Sequence, residues 1–269
     1  MSGWYGMLAP AGTPPEVLEE QSMTRVMLQD EWSEVMLGIR MQRVLAQFLA
    51  LIICTAAGVA SAQVAPTASE IAGYTGLHAA AARGDAPAIG KLAATKADVN
   101  ARDAYGRTPL HVATFVRQRD AISALAKAGA DLNLLENDRY DAVTIAAVAN
   151  DAATLRLLLQ LGASAKQVTS RYDGTALIAA AHLGHDEVVK LLIEAGAPLD
   201  HVNNLGWTAL IESIVLGNGG TRHVETLRAL VRAGANVNLA DRNRTTPLQL
   251  ARSRGFNAMV EILEKAGAK

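Results

Sequence analysis

A short string recurs six times in this 269-residue chain, and no other feature limits its fold so tightly. The string is Thr-(Pro/Ala/Gly)-Leu with Ala or Ser three residues after the Leu. It opens at Thr75, Thr108, Asp141, Thr175, Thr208 and Thr246, the third copy reading Asp141-Ala142-Val143, so the steps are 33, 33, 34, 33 and 38 residues. A second string runs in phase, a Leu/Val-rich stretch closing in Gly129-Ala130, Gly162-Ala163, Gly196-Ala197 and Gly234-Ala235. Periods of this size belong to stacked arrays, in which a unit buries its apolar face only against its neighbours.

Elementary helix chemistry fills in each unit. Thr or Asp serves as N-cap of a first helix, and Pro109 and Pro247 sit at its first position, where a missing N–H costs nothing. The second helix carries apolar residues at helical spacing, as at Val188, Leu191 and Leu192. Gly129, Gly162, Gly196, Gly234 and Gly267 stand where a left-handed residue ends a helix. The segments between Gly-Ala and the next Thr should form short turns or hairpins. Terminal copies must be polar on one side, a role that Glu261, Glu264, Lys265 and Lys269 suit.

Asp103-Ala104-Tyr105-Gly106-Arg107-Thr108-Pro109-Leu110-His111 resembles the opening of the ankyrin repeat. Asn100, Asn133 and Asn238 fit the Asn that follows the family's Gly-Ala close. The resemblance covers residues 72–269 and implies an all-α ankyrin-repeat solenoid of about six helix-turn-helix repeats with short hairpin-like turns. It implies structural roles for His78 and His111, which occupy the family's Thr-Pro-Leu-His position. Copy three departs from the pattern with Arg139 and Asp141 for the family's Gly and Thr. Copy five is longer by five residues around Gly217–Arg222. A loop insertion between its helices is the plain expectation; a partner-contacting loop is the sharper one.

The region ahead of the repeats reads differently. Val44–Ala62 is an uncharged apolar run behind Arg40 and Arg43, and it ends in Ala60-Ser61-Ala62. That is the layout of a secretory signal peptide cut before Gln63. An uncleaved inner-membrane anchor through residues 44–62 is the alternative. Residues 1–40, with six acids and Pro10, Pro14 and Pro15, are expected to be a non-native or disordered leader ahead of a true start at Met41, and residues 63–71 a short linker or N-terminal cap. Cleavage would leave 207 residues with 22 Lys+Arg, 20 Asp+Glu and no cysteine, since the only one is Cys54. Such a chain suits a periplasmic or secreted location in a Gram-negative bacterium.

Near-neutral charge argues against nucleic acid as partner. The sequence holds no Gly-x-Ser-x-Gly elbow and no phosphate loop after a strand, so a non-enzymatic protein without cofactor is expected. A metal-binding or enzymatic protein using the pair His182 and His185 is the contrasting reading, and a purely structural spacer is another. The aromatic residues, only 4% of the chain, are more telling. Tyr74, Tyr140 and Trp207 share the slot just before the cap, which Arg107 fills in copy two; Tyr105 and Tyr172 share a slot two residues earlier. The resemblance implies that these slots lie on finger-like turns facing the concave side, with Phe115, Val116, His182, Leu183, Val215 and Leu216 in the same groove. Tyr, Trp and Arg dominate binding hot spots. The expected partner-binding residues are therefore Tyr74, Tyr105, Arg107, Phe115, Tyr140, Tyr172, His182 and Trp207, on a monomer that holds a protein partner.

Overall fold

A computed structural model of the chain describes residues 65–269. The expectations for residues 1–40 and 41–62 lie outside the described residues. Within 63–71 the chain enters a short helix, α1 (Ala68–Gly73), opened by a reciprocal cap between Thr67 and Glu70.

Twelve further helices follow in six pairs. The first helices are α2 (Gly76–Arg83), α4 (Pro109–Phe115), α6 (Ala142–Val148), α8 (Ala176–Leu183), α10 (Ala209–Val215) and α12 (Pro247–Ser253). The second helices are α3 (Ala86–Ala94), α5 (Arg119–Lys127), α7 (Ala152–Gln160), α9 (Asp186–Glu194), α11 (Thr221–Arg232) and α13 (Asn257–Lys265). First helices pack on first helices of adjacent copies, and second on second, giving two layers of helices. Among the described residues the one β-type pairing is an isolated bridge between Thr169 and Gly174.

Sequence explains the layering. In α6 every residue from Ala142 to Ala147 is buried, because a first helix touches neighbours on both sides and its own partner behind. Such a helix must be short, apolar and small-faced. Second helices bury one stripe only: Ala121, Ile122 and Leu125 in α5; Val188, Val189 and Leu192 in α9. The caps work as expected at Thr108, Asp141, Thr175, Thr208 and Thr246, each accepting the N–H three residues on. Thr75 departs from the expectation and makes no side-chain cap. Gly76, next to it, opens α2 with a φ of +54°, a start the other copies do not share.

Two ladders of hydrogen bonds tie the copies together. Asn100 Oδ1 accepts the N–H of Asp131, Asn133 that of Ser164 and Asn238 that of Lys269, all at 2.8–2.9 Å. Asp200 does the same for Asn236. The ladder skips one rung: Lys166 stands in the Asn slot, and Pro198 stands where the donor would be. Acceptor and donor are lost together, so nothing is left unpaired. The second ladder joins the turns. Asn137 N–H donates to Tyr105 O, Ser170 N–H to Arg139 O and Asn204 N–H to Tyr172 O.

The irregular steps have definite places. The 34-residue step puts one extra residue in the fourth turn, where Thr169 N–H reaches Gly174 O rather than the residue before. The extra five residues of copy five do not form a loop alone. Two lengthen the link between helices, now 216–220, and three lengthen α11 to 12 residues against nine in α9. The link and the first turn of α11 are held on both sides. His223 Nε2 bonds His182 O at 2.9 Å and Arg222 Nε donates to Gly184 O at 3.1 Å in copy four. From copy six, Arg254 Nη2 donates to Gly217 O at 3.1 Å while its guanidinium sits over the Phe256 ring at 5.0 Å.

Candidate protein-interaction face

Turns two, three, five and six are each built around one polar side chain five residues before the cap. Asp103 Oδ1 accepts the N–H groups of Tyr105 and Arg107; Glu136, Asn203 and Asp241 serve the same two positions in their turns. The turn is thereby fixed, and the side chains three residues before the cap stand outward at its tip. Tyr105 and Tyr172 hold that slot, 45% and 40% exposed, and Leu205 holds it in copy five. Leu183 and Leu216, at equivalent ends of neighbouring first helices, are also exposed. Exposed large apolar side chains therefore concentrate on the turns and on the ends of the first helices of copies four and five.

The eight expected residues part company here. Tyr105, Tyr172 and His182 are exposed, while Phe115, Tyr140 and Trp207 are partly buried along the same face. Tyr74 is also partly buried, and its hydroxyl donates to Asp103 Oδ2 at 2.7 Å; burial and that bond hold the phenol far above its ordinary pKa. Arg107 corrects the expectation that it meets a partner. It is 1% exposed, with Nε on Asp103 at 2.7 Å and Nη2 on Glu70 at 3.0 Å, and the Tyr105 ring covers it at 4.4 Å. A guanidinium so enclosed ties α1 to the second turn and offers no surface.

The histidine pair does not converge. His185 Nδ1 bonds Ala147 O in copy three at 2.9 Å, whereas His182 Nδ1 faces Glu212 Oε2 in copy five at 3.5 Å. Among the described residues no group of three His, Cys, Asp or Glu is arranged to hold a metal.

Glu212 went unremarked in the sequence. It is 5% exposed on α10, in a slot that Ala79, Val112, Ile145, Ala179 and Leu250 fill elsewhere. Its Oε1 accepts from Asn203 Nδ2 at 2.7 Å, and Asn203 Oδ1 in turn accepts the N–H of Trp207. A buried carboxylate thus orients the turn that carries Trp207. One charge in an otherwise apolar column was the available signal.

A family model for ankyrin repeats (three copies) matches residues 47–136 and 143–241. The chain belongs to the ankyrin-repeat family. Its similarity to the putative ankyrin repeat protein YahD of Escherichia coli K12 is 37% identity over 125 residues, 46% of this chain and 62% of YahD. The chain thus spans less than two thirds of that relative. An ankyrin repeat domain from Acinetobacter baumannii AYE is 46% identical, covering 72% of this chain and 98% of that one, with a TM-score of 0.68. The ankyrin repeat domain of Bcl-3 matches at 29% identity, 73% and 88% coverage and a TM-score of 0.65. Ankyrin repeats generally mediate protein–protein interaction.

Proposed function

We propose that the chain is a non-enzymatic binding module that holds a protein partner on the face lined by its turn tips and first helices, the concave side of the family. The observation that carries this reading is the placement of Tyr105, Tyr172, Leu183, Leu205 and Leu216, exposed together on that face in a chain poor in aromatics. Rigid aromatic and aliphatic anchors on a preformed surface are what protein recognition uses. The fixed turns favour the same reading, because a surface held by two hydrogen-bond ladders loses little entropy on binding. Trp207→Ala and Tyr140→Ala are expected to weaken partner capture while leaving helical content and melting unchanged. Normal capture by both variants would move the site elsewhere.

Export belongs to the same proposal. The Arg43-led apolar run ending in Ala60-Ser61-Ala62 supports cleavage and a periplasmic or secreted module. Among the described residues no helix is long and apolar enough to cross a membrane. Terminal sequencing of the cellular product should begin at Gln63; an earlier start would refute cleavage.

A further inference from the structure

The sixth turn carries two exposed arginines, Arg242 and Arg244, whose side chains make no hydrogen bond or ion pair among the described residues. Equivalent positions earlier in the stack show what such side chains do. Arg139 fills the slot of Arg244, two residues before the cap, and its Nη1 bonds Asp173 of the next turn at 2.8 Å. Arg171 fills the slot of Arg242, four before the cap, and pairs with Asp138 of the preceding turn at 3.4 Å. Neither acid is present for copy six. Among the described residues no later turn offers an acid to Arg244, and Leu205 stands in copy five where Asp138 stands in copy three.

Neither side chain has a counter-charge among the described residues. The stem of Arg242 lies across Gly206, whose missing Cβ leaves the room. Arg244 has a φ of +61°, in a slot that copies two and five give to Gly106 and Gly206. A side chain there carries backbone strain that glycine would avoid. The exposed Leu205 and the partly buried Trp207 flank Gly206 on the turn that Arg242 covers.

We infer that the fifth and sixth turns form a docking edge for a protein segment that sets an apolar side chain against Leu205 and Trp207 and supplies carboxylates to Arg242 and Arg244. The inference rests on the proposed binding face and adds the partner's chemistry to it. Carboxylate is the chosen ligand because the equivalent guanidiniums in this chain, Arg139 and Arg171, already take carboxylates. A phosphate backbone would meet no comparable field, since the whole chain has 25 Lys+Arg against 26 Asp+Glu.

The test is selection of a random 16-residue displayed peptide library on the full chain and on its Arg242→Glu/Arg244→Glu variant. The wild type should enrich peptides combining Leu, Phe or Trp with two or more acids. One such peptide, made synthetically, should bind the variant roughly tenfold or more weakly and lose affinity with added salt. Loss on Trp207→Ala as well would support the common face. Peptides that bind both proteins equally and need Trp207 would overturn the carboxylate inference while leaving the binding face standing. Acidic peptides that need Arg242 and Arg244 but ignore Trp207, Tyr172 and Tyr140 would leave the arginines standing and sink the face. No enrichment, binding of a 20-nucleotide single strand in place of acidic peptides, or arginine-dependent self-association would each overturn the inference.

Discussion

Burial keeps the His111 ring neutral where an exposed histidine would begin to protonate. Its Nδ1 accepts the Thr108 N–H at 3.0 Å, so the ring proton sits on Nε2 and points to Leu134 O at 3.0 Å. Desolvation lowers its pKa from 6.5 to about 4. The unfolded chain therefore binds a proton that the folded chain refuses. Stability from this ring is complete above about pH 6.5 and is lost as pH falls toward 4, by roughly 3 kcal/mol. His111→Gln keeps the cap, as Gln249 does in copy six, and should flatten that part of a stability–pH profile measured by denaturant melts. Asp141 runs the other way. It is buried, its Oδ2 has no hydrogen-bond partner, and desolvation raises its pKa. Its folded state prefers the protonated acid, so its cost grows as pH rises through that raised value. Asp141→Thr should stabilise the chain by about 1 kcal/mol at pH 7 and by less near pH 4, read as thermal midpoints. The capping role of Asp141 was legible from its slot. The burial of Arg107 was not, because Glu70 lies 37 residues away and outside the six copies whose register defined the slots.

At the scale of helices and turns, copy five shows how an insertion is absorbed. The step of 38 located five extra residues, but their division between link and helix was not legible. Gly220 caps α11 without a side-chain bond, so no polar cap marks where that helix begins. The glycines instead record how tightly the link packs. Gly219 has a φ of +70°, and a Cβ there would lie 2.5 Å from Phe256 Cδ1. Gly219→Ala should cost roughly 1–3 kcal/mol. Amide exchange should show the loss in α12 and α13, which depend on that contact, and spare α4 to α7. Uniform loss across all helices would mean that the copies unfold as one block. The missing rung at Lys166 and Pro198, by contrast, was written in the sequence, since a proline cannot donate and a lysine cannot accept.

Taken whole, the described residues form a stack whose order comes from its period and whose function lies in what the period leaves variable. The six pairs were readable because caps, apolar stripes and closing glycines agree in copies two to six, which set the register for the first. The binding face was readable only in part. A repeat register states that Tyr105 and Arg107 stand two residues apart; it does not state that one is exposed and the other enclosed beneath it. Nor does it reveal that the side chains of Arg242 and Arg244 make no ion pair among the described residues, unlike Arg139 and Arg171. The central claim is that protein binding belongs to the turns and first helices. It is tested most directly by measuring retention of the protein that co-purifies with the full chain on three variants of unchanged melting behaviour. Tyr172→Ala/Trp207→Ala and Leu183→Glu/Leu216→Glu should each weaken retention roughly tenfold or more, while Lys190→Ala/Arg232→Ala on the second-helix layer should retain the partner as the wild type does. Loss confined to the second-helix variant, or no co-purifying protein at all, would contradict the account.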